Sequence, residues 1–154
     1  MLVAILAILG TALFVGGMFY YFNVYKKRKV TSWVIKGKAP PFFWEAMAII
    51  AKHTPGLPQA GYITWVDGPF MTGGVKAMGV VETTQPNVII KVTYVDPIEN
   101  SALSHELEHA WRGVTGLPFM ESPRDPEFVK WVTEVNAEIK AARLASSPSS
   151  PSQA

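Results

Sequence analysis

The chain has no cysteine among its 154 residues. That excludes disulfides, thiolate metal sites, a cysteine nucleophile and a lipidated cysteine, and it leaves the redox compartment open. Charge is missing from residues 1–25, and acidic side chains are missing from residues 1–38. Six basic residues (Lys26, Lys27, Arg28, Lys29, Lys36 and Lys38) fall in that acid-free stretch and account for the formal net charge of +2. The rest of the chain carries eight basic and twelve acidic side chains. A nucleic-acid-binding domain needs its Lys and Arg on the folded part, so no nucleic-acid partner is expected. Histidine is scarce as well, with three in the whole chain.

The uncharged stretch opens MLVAILAILGTALFVGGMFYYF. A bilayer core takes roughly 20 apolar residues of helix, so residues 1–25 read as a single transmembrane anchor whose partner is the lipid bilayer. A cleavable signal would carry basic residues before the run and a small-x-small site after it, whereas here the basic cluster follows. The positive-inside rule then expects a single-pass membrane protein with its C-terminal domain on the cytoplasmic side. Residues 26–40 read as a basic juxtamembrane linker, residues 41–144 as the folded domain, and residues 145–154 as a disordered Ser/Pro tail.

Within the folded domain, PFFWEAMAIIAKH has helical spacing and stops at Thr54-Pro55-Gly56. Three strands are expected at residues 62–66, 75–83 and 87–95, separated by Asp67-Gly68-Pro69, Gly73-Gly74 and Gln85-Pro86, all turn chemistry. A helix over residues 98–114 ends at Gly116. A last helix begins at Asp125-Pro126, a good cap followed by proline at the first helical position, and runs to residue 144. The order helix, three strands, helix, helix gives an α+β domain.

The helix over 98–114 contains His105-Glu106-Leu107-Glu108-His109, an H-E-x-x-H pattern. One turn separates the histidines, so both imidazoles leave the same face and can hold one metal ion. Glu106 can reach a water beside that ion and take its proton. Leu103, Leu107, Ala110 and Val114 form an apolar stripe, which makes this a core helix with the histidines at its flank. A catalytic zinc takes three protein ligands and keeps one position open. On the last helix, Phe128, Trp131, Val132, Val135, Ile139 and Ala142 form the core stripe, and Glu134 and Glu138 flank it one turn apart.

On these residues the chain resembles the gluzincins, zinc peptidases whose third ligand is a glutamate on a helix after H-E-x-x-H. Glu134-Val135-Asn136-Ala137-Glu138 is similar to their E-x-x-A-D/E element, seen for example in membrane-embedded prenyl-protein and heat-shock proteases. The resemblance covers two helices. It implies zinc held by His105, His109 and Glu134, with Glu106 as the general base. It also implies that Glu138 accepts a hydrogen bond from an imidazole N–H, that of His105, and so fixes its tautomer. The spacing favours Glu134 over Glu138 as the ligand. The fold expected is a transmembrane helix followed by a minimal zincin-like domain: a helix, a three-stranded sheet, the active-site helix and a C-terminal ligand helix.

Other residues have plainer readings. His53 at a helix C-terminus suits a helix-dipole partner. Glu108 and Arg112 read as a surface i, i+4 ion pair. Tyr94, Trp111 and Arg112 lie near the motif in sequence and are candidates for the cleft or for oxyanion stabilisation. The expected activity is hydrolysis of a peptide bond in a peptide or protein substrate by a membrane-anchored zinc metallopeptidase. The alternatives are a cell-wall peptide or amide hydrolase with the same site, and a non-catalytic membrane-anchored assembly protein with a structural zinc.

Overall fold

The computed structural model describes residues 30–117 and 125–146. The chain is α+β. Its sheet starts earlier than the sequence suggests, because β1, Trp33–Lys36, lies in the stretch expected to be a linker. β1 pairs in parallel with β2, Gly61–Val66, from Trp33 opposite Gly61 to Lys36 opposite Thr64. The folded unit accordingly begins at Thr31 and not at Pro41.

Between these strands runs α1, Phe43–His53, which forms the crossover that a parallel connection requires. Of its buried residues, Phe43, Ala46, Met47 and Ile50 recur at the spacing of one helical face, and Ile49 widens that face. Thr54 ends the helix, its hydroxyl donating to the Ile50 carbonyl at 2.9 Å.

After β2 the chain forms a hairpin of β3, Phe70–Thr72, and β4, Val75–Ala77, closed by Gly73 and Gly74 with φ of 53° and 80°. The expected strand over 75–83 is therefore two strands. It breaks at Met78, and β5, Gly79–Thr83, leaves the hairpin to join the main sheet. β5 runs antiparallel to β6, Val88–Thr93, with a register irregularity between Val81 and Thr83. β6 also pairs in parallel with β2, so the main sheet has four strands in the order β1-β2-β6-β5 in place of the expected three. Ile63, Val88, Ile90 and Val92, from the two central strands, are fully buried.

The expected helix over 98–114 is also split. Residues Ile98–Asn100 form a short 3-10 turn, and Ser101 interrupts it by donating to the Ile98 carbonyl at 2.7 Å and accepting from the Leu103 N–H at 3.3 Å. α2, Leu103–Thr115, then lies against β5 and β6. Gly116 closes it in the left-handed region at φ 73°, where glycine carries no Cβ penalty. α3, Pro126–Ser146, is capped by Asp125, whose Oδ1 accepts from the N–H groups of Glu127 and Phe128 at 3.0 and 3.3 Å. It packs across α1 and α2, with Phe128, Val135 and Ile139 buried.

The membrane-spanning part of the expected fold is corrected. Among the described residues no helix is long and apolar enough to cross a membrane. α1 and α2 have 11 and 13 residues, short of the roughly 20 that a bilayer core takes. α3 has 21 but carries Glu127, Lys130, Glu134, Glu138, Lys140 and Arg143 along its length. The expected single-pass, cytoplasm-facing localisation has no helix among the described residues to carry it. The anchor expected at residues 1–25 and the tail from 147 onward lie outside the described residues.

Candidate metal centre

His105 and His109 lie one turn apart on α2, and their rings converge. The Nε2 atoms are 3.1 Å apart and the ring centroids 4.7 Å. Two nitrogens each about 2.0–2.1 Å from one tetrahedral zinc lie roughly 3.3 Å from each other, so the pair has the separation of two ligands of one ion. Burial holds both histidines in the neutral form that a metal requires. It lowers His105, and together with the nearby charges of His105 and Arg112 it lowers His109 to about 4.

The Phe128 ring of α3 covers both imidazoles, with centroids 4.8 Å from His105 and 4.6 Å from His109. Arg112 lies over the same ring at 5.2 Å.

Glu106, next to His105, points toward β5. It is buried, and burial pushes its carboxyl up to about 7, against a backbone hydrogen bond from Val81 that favours the charged form. Glu106 and His105 share the wall of a cavity of about 440 Å³ with Met78, Gly79, Asn100, Ser101, Ala102 and Val132. A carboxyl that titrates near neutrality beside a cavity can both accept and return a proton at ordinary pH.

The structure does not bring Glu134 to this pair. The row of α3 that meets the histidine side of α2 is Phe128, Val132 and Asn136. Phe128 covers the rings, Val132 lines the cavity, and Asn136 Oδ1 accepts from the Ser104 hydroxyl at 2.8 Å. Glu134 is two residues from Val132, about 200° round the helix. Its side chain is 63% exposed and lies 3.8 Å from Lys130. Glu138 does meet a histidine, but that histidine is His53, whose Nε2 is 2.7 Å from Glu138 Oε2, and Lys52 stands 3.8 Å away. Glu134 therefore faces solvent, and Glu138 is half-buried against α1, away from the histidine pair of α2. Among the described residues, no group of three His, Cys, Asp or Glu is placed to hold a metal ion.

None of the proposed cleft residues lines the cavity, although Arg112 lies close to the histidine pair. Trp111 donates its indole N–H to the Pro55 carbonyl at 2.9 Å and stacks on Trp131. The Tyr94 backbone N–H bonds to the Val66 carbonyl at 2.8 Å, and its side chain is not part of the cavity wall. Arg112 is held by carboxylates. Its Nε and a terminal nitrogen approach Glu108 Oε1 at 3.0 and 2.8 Å, and its other terminal nitrogen reaches Asp125 Oδ2 at 2.6 Å. Glu108 is fully buried, so the pair is not the surface ion pair expected from its spacing. Burial raises the Glu108 carboxyl to about 7 despite the guanidinium beside it.

Sequence reasoning missed Gly79, Met78 and the Asn100–Ala102 wall of the cavity. Only the Gly-Gly turn ahead of Met78 hinted that the strand would break there. No protein-family profile, curated protein or solved structure matches the chain.

Proposed function

We propose that the chain is a zinc-dependent hydrolase acting on peptide bonds, with His105 and His109 as two protein ligands and Glu106 as the general base. The observation that carries this reading is the pair of imidazoles with Nε2 atoms 3.1 Å apart beside a buried carboxyl that shares a cavity wall with His105. The likeness to zinc peptidases therefore rests on the H-E-x-x-H half of the motif and not on Glu134. Zinc, when bound, would supply Lewis acidity toward water and toward the carbonyl under attack. The chain's own contribution would come from Glu106, which takes a proton from the attacking water and returns it to the leaving amine. The cavity it shares with His105 offers room for the groups flanking that bond.

The test is zinc content of the purified full chain, followed by mass-spectrometric identification of products from a mixed peptide library. One zinc per chain and new cleavage products are expected. Glu106→Gln should keep the zinc and lose roughly 10²–10⁴-fold in kcat, the usual contribution of a general base. Zinc at full occupancy with no product from any peptide would reject the peptidase reading in favour of a structural metal.

A further inference from the structure

We propose that Gly79 is a positioning residue for Glu106, and that the side chain missing at this point of β5 makes the seat of the Glu106 carboxyl. The functional meaning of the seat rests on the hydrolase reading; the seat itself does not. A Cβ placed on Gly79 would lie 2.5 Å from Glu106 Oε1, 2.6 Å from its Cγ and 2.9 Å from its Cδ. The three nearest atoms all belong to one side chain, and all lie inside ordinary contact distance.

The backbone gives no other reason for a glycine here. Gly79 pairs with Val92 in the β5–β6 ladder, and its φ is not among the positive values found at Gly37, Gly56, Gly68, Gly73, Gly74 and Gly116. Glycine inside a strand weakens it and often marks a close approach. Gly61, the other strand glycine with an obstructed Cβ, is blocked by the Val88 backbone and the Trp33 ring, which makes it a residue of sheet packing. At Gly79 the three nearest obstructing atoms all belong to Glu106.

A methyl group at this position cannot be absorbed by turning the carboxyl tip, because Cγ is also too close. The whole side chain would have to change rotamer while enclosed between α2 and β5. Glu106 follows His105 directly, so its rotamer sets where the carboxyl stands relative to the imidazole pair. A misplacement of about 1 Å at such a point can cost 10²-fold in rate.

The experiment is a double-mutant cycle on the full chain: Gly79→Ala, Glu106→Ala, and the two combined, each measured for urea midpoint and zinc content. Gly79→Ala should lower the midpoint when Glu106 is present and should not lower it in the Glu106→Ala background. If Gly79→Ala alone fails to fold, folding of the double variant supports the seat equally well. An equal loss in both backgrounds, or failure of both to fold, overturns it. With a cleaved peptide in hand, Gly79→Ala should keep its zinc and its KM within about twofold while kcat falls roughly 10–100-fold. An unchanged kcat overturns the positioning role. If the unaltered chain cleaves no peptide, the hydrolase reading fails, and the stability cycle still decides the seat.

Discussion

At the scale of single residues, the two carboxylates of α3 separate what spacing can tell from what it cannot. Glu134 sits in solvent beside Lys130, so Glu134→Ala should leave zinc affinity within about twofold of the unaltered chain, as a surface substitution remote from a ligand set does. His109→Ala should abolish stoichiometric binding. Titration of both variants with zinc against a competing chelator checks this, and loss of metal from Glu134→Ala would contradict the placement of α3. His105, Glu106 and His109 were legible because they lie within one helix, where spacing alone determines which side chains share a face. Glu134 was not, because its relation to the histidines depends on the rotation of one helix against another. The apolar stripe of α3, with Phe128, Trp131, Val132 and Val135, spans a broad arc and leaves two flanks. Nothing local says which flank turns toward α2. The row that does so is Phe128, Val132 and Asn136.

At the scale of elements, Arg112 joins α2 to the start of α3. Its guanidinium bridges the fully buried Glu108 and the capping Asp125, and both contacts hold it above its ordinary pKa although burial alone would lower it. Arg112→Met should strand a buried carboxylate and cost about 3–5 kcal/mol, the usual result of removing one partner of a buried pair. Arg112→Lys should recover part of this, since an ammonium lacks the planar fork that spans two carboxylates. Urea unfolding of the two variants provides the comparison, and a lysine variant as stable as the unaltered chain would argue against a role for the fork. The burial of this pair was hidden from the sequence because i, i+4 spacing is the same in water and in a core. The strands were legible where they alternate or are rich in β-branched residues, as in β2 and β6. Residues 75–83 misled because only Met78 separates β4 from β5, and only pairing partners distinguish a hairpin arm from a sheet edge.

At the scale of the whole molecule, Glu99 and Arg143 connect the 3-10 turn to the far end of α3 through contacts of 2.6–3.1 Å. The hydrogen bonds from Arg143 hold the buried Glu99 carboxyl below its usual 4.5, although burial opposes this. A carboxyl whose folded pKa is depressed contributes stability above its unfolded value and loses it as pH falls through the folded one. The chain should therefore lose stability as pH drops below about 4.5, and Glu99→Gln should flatten that part of the profile. Urea midpoints taken at intervals from about pH 6 to about pH 3 measure it, and identical acid slopes would exclude Glu99 as a source.

The position of β1 has a practical consequence for anyone trimming this protein. β1 covers the outer edge of β2, so a fragment cut just before Pro41 would lose four residues of ladder and leave β2 with an open row of amide and carbonyl groups. Such a row is a template for a strand from another chain. A fragment starting at Pro41 should form aggregates detectable by light scattering, whereas one starting at Thr31 keeps that border closed.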